Sequence, residues 1–250
     1  MTFELRYLIP DWPVPAHVKA CVTRREGGVS QGNFTSFNMG TRSGDAPEYV
    51  QANRQQMHND FGWSCDPQWL KQVHGTQVVK ASGKGQEKEG DAVWTDLPGQ
   101  PCAILTADCL PVLFCNRSGT RVAAAHAGWK GLQAGVLENT LKALSCPASE
   151  VMAWLGPAIS QKHFEVGPEV RTAFIDQNPA AEAAFIPGTG DRWHGDLYLL
   201  ARQRLAAAGV NAVYGGGFCT FEEQKAFFSY RRDGKESGRL ASVIWLDRAS

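Results

Sequence analysis

Short apolar runs separated by turn residues set the rhythm of this chain. Stretches rich in β-branched, small apolar and aromatic residues at 18–23, 69–73, 77–81, 91–95, 103–106, 112–115, 121–125, 151–155, 210–214 and 241–246 predict strands. Apolar residues recurring three or four apart predict helices over 47–61, 131–144, 169–178 and 196–208. Strand and helix alternate irregularly, with no fixed-period repeat, heptad seam or low-complexity tract, so one mixed α/β domain over residues 1–250 is expected. The Gly-, Lys- and Glu-rich stretch 82–90 reads as an exposed loop, and 178–195, with Pro179, Pro187, Gly188 and Gly190, as irregular.

Composition narrows the partners. The 250 residues carry 25 basic and 25 acidic side chains, so no overall field favours nucleic acid or an anionic membrane, and a small-molecule partner is the expectation. The stretch 1–18 lacks the basic start and apolar core of a signal peptide, and no apolar run approaches the roughly 20 residues that span a bilayer. The seven cysteines are scattered, with no C-x-x-C pair, which suits reduced thiols in the cytoplasm. Cys115 in PVLFCN and Cys21 in VKACVT read as small buried hydrophobes.

Candidate chemistry concentrates between Thr106 and Gly131, TADCLPVLFCNRSGTRVAAAHAGWKG, where Cys109 precedes one apolar strand and His126 ends the next. Gly128 permits close backbone approach there, and a helix beginning near Lys130 would point amides at an anion. His74 follows a third apolar segment in WLKQVHG. Two imidazoles and a thiolate can hold a d-block ion and leave a fourth position open, but no two of these residues share a short metal motif, and histidines at strand ends are commonly structural.

The strings QVHG at 72–75, TADC at 106–109, HAGWKG at 126–131, Gly156-Pro157 and SYRRDG at 229–234, in order, resemble the successive motifs of the laccase-domain (YfiH-like) family; the resemblance begins at RREGGVS, 24–30. It implies a layered α/β/β/α fold with mixed sheets. It further implies metal ligation by His74, Cys109 and His126, with one zinc ion, or copper, as cofactor. The activity implied is phosphorolysis of adenosine, inosine and methylthioadenosine, with adenosine deamination beside it, and bacterial relatives are linked to editing of peptidoglycan precursors. The laccase name fits the residues less well: six histidines without an H-x-H pair cannot furnish a multicopper oxygen-reducing cluster.

Each reaction makes its own demand on the sequence. Deamination needs a carboxylate that carries protons, for which Asp108 is the first candidate; it could equally accept backbone amides as a structural residue. The string His163-Phe164-Glu165 matches H-x-E of cytidine deaminases, but no P-C-x-x-C follows. Phosphorolysis needs cations for phosphate, and Arg24, Lys130, Arg231 and Arg232 are the candidates, against the alternative of structural ion pairs for the last two. Trp129, Phe164, Phe227, Phe228 and Tyr230 are candidate base-stacking or core aromatics. Two other classes stay open: an amidohydrolase acting on peptidoglycan precursors, either zinc-dependent or with Cys109 as nucleophile and His126 as base, and a metal- or nucleotide-binding protein without turnover.

Overall fold

The computed structural model describes residues 3–83 and 86–248. Its centre is a six-stranded mixed sheet in the order Ala212–Gly215, Val151–Leu155, Leu110–Asn116, Val122–Ala127, Ala92–Thr95, Val78–Lys80. The two middle strands form an antiparallel hairpin whose turn is closed by Asn116, with Oδ1 accepting the amides of Thr120 and Arg121 at 2.9 Å each. Both faces of this hairpin are covered, which explains its unbroken apolar sequence. Leu110, Val112, Phe114, Ala123 and Ala125 pack beneath helices Val136–Leu144 and Leu197–Ala207. Leu113, Cys115, Val122 and Ala124 face a second sheet.

That second sheet runs Tyr7–Leu8, Val18–Thr23, Leu240–Leu246, Cys102–Thr106. Along Leu240–Leu246 the side chains alternate as a strand requires: Leu240, Ile244 and Leu246 meet the central sheet, while Ala241, Val243 and Trp245 point outward. The outward set packs with Phe37, Trp63, Trp69 and Met57 of helix Pro47–Phe61, so the layers read α/β/β/α as the motifs imply.

Departures from the pattern reading have local causes. Helix 131–144 is two helices, Trp129–Ala134 and Val136–Leu144, divided at Gly135 with φ of +101°. Strand 69–73 shrinks to Leu70–Lys71, because the Gln72 side chain takes both backbone groups of Leu105 at 2.7 Å and the following amides turn to Asp91. The irregular stretch 178–195 contains strands Phe185–Pro187 and Trp193–Gly195, which join Glu165–Val166 in a small sheet; segments of two or three residues are too short to display alternation. Within 82–90, Lys84 and Gly85 lie outside the described residues, and Lys88–Glu89 pairs with Leu70–Lys71.

Candidate metal centre

Asp91 stands immediately before strand Ala92–Thr95, fully buried, at the place where three segments meet. Its carboxylate accepts the backbone amides of Val73, His74 and Gly75 at 3.2, 2.9 and 2.7 Å. This grip holds His74 at φ of +59°, a left-handed conformation that costs a non-glycine residue about 1–2 kcal/mol. Asp91 Oδ1 also lies 2.8 Å from His126 Nδ1. A carboxylate can only accept, so Nδ1 carries a proton and Nε2 is the nitrogen that faces the centre, its lone pair available once the ring is neutral.

Asp108 plays the matching part beside the thiol. Held at φ of +85°, it accepts the Thr220 hydroxyl and the Arg231 amide, each at 2.6 Å, one on each carboxylate oxygen. The chain turns there, and Cys109 is directed back toward His74, whose Nε2 is 4.0 Å from Cys109 Sγ. Ligand atoms of His74, Cys109 and His126 all lie within 4.8 Å of one another. Atoms bound to one ion at roughly 2.0–2.3 Å sit about 3.5 Å apart, so small side-chain adjustments suffice to close on a cation.

Gly128 forms the back of the centre. A Cβ at this position would stand 3.0 Å from Cys109 Sγ, 3.1 Å from His74 Cδ2 and 3.5 Å from His126 Nε2, so only glycine leaves the cradle clear. Helix Trp129–Ala134 begins directly behind it. Donor chemistry and space both fit a thiolate- and imidazole-bound ion of the zinc class.

Without an ion the thiol and the imidazole pair as opposite charges, and a cation binding there would displace the His126 proton. Burial works to raise the Cys109 thiol, but His126 and His74 outweigh it and bring it down to about 6. Burial opposes the charged His126 ring, yet Cys109 and Asp91 draw it up to about 9. Burial likewise opposes the Asp91 carboxylate, and the His126 and amide hydrogen bonds prevail, leaving it below the usual carboxylate range.

The three candidate ligands open into a cavity of about 550 Å³ whose walls include Gln72, Phe164, Tyr230, Arg231 and Arg239. Arg231 donates to the carbonyls of His163 and Glu165 at 3.4 and 3.0 Å and keeps further donors for a ligand. Arg239 donates through Nη1 to the carbonyls of Ser237 and Gly238; its Nε and Nη2 have no protein acceptor among the described residues. Its burial pulls the guanidinium down from its usual value, against the Cys109 charge.

Of the residues singled out in the sequence, His74, Cys109 and His126 come together, and Asp108, Phe164, Tyr230 and Arg231 border the same cavity. The others stand apart. Arg232 spends all five donors on Asp233 and on the carbonyls of Thr220, Phe221 and Phe227. Lys130 is exposed, with its ammonium 5.7 Å from the Trp129 ring, and Arg24 is not in the cavity wall. With both oxygens engaged, Asp108 fits the structural reading better than that of a proton carrier. Asp91 and Arg239 escaped the pattern reading. The clue to Asp91 is a carboxylate opening an otherwise buried apolar strand, AVWT, behind Gly90.

The family model described as multi-copper polyphenol oxidoreductase laccase matches residues 19–247. Purine nucleoside phosphorylase PA4543 of Pseudomonas aeruginosa is 53% identical over 241 residues, covering 96% of this chain and 98% of that protein. Purine nucleoside phosphorylase YfiH of Escherichia coli is 50% identical over 242 residues, covering 96% and 99%. Among solved structures, Neisseria meningitidis protein NMB0706 superposes with a TM-score of 0.94 at 50% identity, over 97% of this chain and 100% of that one. YlmD of Geobacillus stearothermophilus gives 0.91 at 27% identity, covering 97% of each.

Proposed function

This chain belongs to the multi-copper polyphenol oxidoreductase laccase family, and from that premise we propose that it is a metal-dependent purine nucleoside phosphorylase. The observation that carries the proposal is the His74, Cys109 and His126 cluster opening into a cavity that also presents Arg231 and Arg239. Relatives about half identical over nearly the whole chain carry the phosphorylase name, which supports the same substrates, a purine nucleoside and phosphate. The cavity volume of about 550 Å³ falls in the roughly 300–1,000 Å³ range of small-molecule sites.

His74, Cys109 and His126 would hold one zinc ion, with copper admissible from the same donors. When bound, the ion supplies Lewis acidity at the floor of the cavity. The chain's own groups do the rest of the positioning. Arg231 and Arg239 present guanidinium donors that orient a phosphate for attack on the anomeric carbon, with the ring–base C–N bond breaking as the new C–O bond forms. Phe164 and Tyr230 offer ring faces to the base. Asp91 keeps His126 and the His74 backbone in register with each other.

Incubating the metal-loaded protein with adenosine, with and without phosphate, and identifying products by mass spectrometry tests the reading. Adenine and ribose phosphate formed only with phosphate are expected; inosine would instead reveal deamination, and absence of any cleavage would refute the proposal. Replacing Arg231 with Lys keeps the charge but loses the planar fork, so phosphorolysis should fall at least about tenfold, roughly 1.4 kcal/mol of transition-state stabilisation.

One geometric feature favours a second reading. Cys109, His126 and Asp91 also stand in the order nucleophile, base and orienting carboxylate, an arrangement suited to acyl transfer on an amide. Such a triad has no need of His74. Amide hydrolysis that survives His74→Ala in metal-free protein would establish it; loss of metal and all turnover together would exclude it.

A further inference from the structure

A second group of nitrogen, sulfur and oxygen donors includes His163, the residue before Phe164 of the cavity wall. His163, Cys219 and Glu222 place one ligand atom each within 4.8 Å of one another. His163 Nε2 is 2.8 Å from Glu222 Oε1, and the imidazole lies flat on Phe221, with ring centroids 4.3 Å apart and planes at 18°. The Cys219 backbone is tied by its amide to Glu223 Oε1 at 2.8 Å. None of the three belongs to the set His74, Cys109 and His126, and the reaction proposed above does not use them.

The surroundings of the sulfur are the telling feature. Cys219 Sγ accepts the Ser160 hydroxyl at 3.0 Å and the Glu222 amide at 3.5 Å. Donors aimed at a sulfur stabilise negative charge on it, and they are the outer partners a metal-bound thiolate requires. Cys65 and Cys115 do the opposite and donate to the carbonyls of Gly99 and Asn116. Burial pushes the thiols of Cys21, Cys102 and Cys115 up, so they serve as core.

We propose that His163, Cys219 and Glu222 form a second site for a divalent transition metal of the zinc class. An imidazole, a thiolate and a carboxylate neutralise a doubly charged cation and match the N, S and O donors such ions take. Glu222 is exposed, leaving a solvent molecule free to complete four-coordination. Lys162 shares Glu222 Oε1 at 2.7 Å, but its side chain is 76% exposed and returns to water when an ion takes that oxygen. The role is structural, because the ion ties a segment that lines the first cavity through Phe164 to a segment that holds a lining residue, Asp108. The His163 carbonyl holds Arg231, and Thr220, next to Cys219, holds Asp108, next to Cys109.

Cobalt(II) separates the two sites. The full chain carrying Cys109→Ser lacks the thiolate of the first centre, so any thiolate-to-cobalt charge-transfer absorption must come from another cysteine. Titration of that variant should give the absorption with one equivalent of cobalt, and adding Cys219→Ser or His163→Gln should abolish it. No such absorption at saturating cobalt in folded Cys109→Ser protein, or its survival in the Cys109→Ser/Cys219→Ser protein, overturns the proposal. Combined zinc and copper content of otherwise native protein provides the check that needs no change at the first centre: two ions per chain are expected, falling to one in His163→Gln. One ion in the native protein, or two in the variant, would be equally fatal.

Discussion

Asp91 is not in the cavity wall, yet its carboxylate takes four hydrogen bonds that fix one candidate ligand by its ring and another by its backbone. Asp91→Asn should therefore weaken zinc binding about 10–100-fold, read by chelator competition. The leftover unpaired amides should also cost about 1–3 kcal/mol in denaturant titration. The pH dependence has a defined sign. A carboxyl held below its ordinary range stabilises the fold fully above about pH 4, and that contribution is lost as pH falls through the folded value. The acid limb of stability should accordingly be shallower in Asp91→Asn. Cys109 gives a second readout: in metal-free protein its thiol, brought down to about 6, should react with iodoacetamide with a midpoint near that pH, and zinc should suppress the reaction. His74, Cys109 and His126 were legible only as parts of ordered strings, because their spacing matches no short metal motif. Asp91 was not, since a buried acid declares its partners only once 73–75 and 126 are folded against it.

Elements whose periodicity runs uninterrupted are legible in the sequence. Val18–Thr23, Pro47–Phe61 and Val151–Leu155 fall where the hydrophobic pattern puts them: the first is buried over 21–23, the second along the face of Val50, Asn53 and Met57, the third throughout. The break at Gly135 was hidden because apolar spacing continues through it, from Leu132 to Val136, while the backbone changes hand. Gly135→Ala should destabilise the fold by about 1–2 kcal/mol, measured in urea, although a Cβ meets nothing closer than 3.5 Å; the cost lies in φ alone. Asp196 is a contrasting case: it caps helix Leu197–Ala207 by accepting the Leu199 amide at 3.0 Å, and Asp196→Ala should cost about 1 kcal/mol with zinc content unchanged.

At the scale of the whole molecule, the two sheets and their covering helices bury apolar side chains on both faces of the central hairpin, independently of the proposed metal centre. Chelation should remove turnover while leaving the far-ultraviolet circular dichroism near that of the loaded protein. The layered fold has a further consequence that lies in time rather than in space. Strand Leu240–Leu246 is inserted between Val18–Thr23 and Cys102–Thr106, and the Ala241 amide bonds to Thr23 Oγ1 across 218 positions of sequence. On a ribosome, the two flanking strands emerge long before the one that joins them, and their apolar edges must wait without a partner. Contacts this distant slow folding, and Arg239, the residue just before the joining strand, reaches the cavity only when that strand docks. Anion binding in the cavity should thus be gained in the last step of refolding, and a nascent chain halted before residue 240 should be a client for chaperones rather than an enzyme.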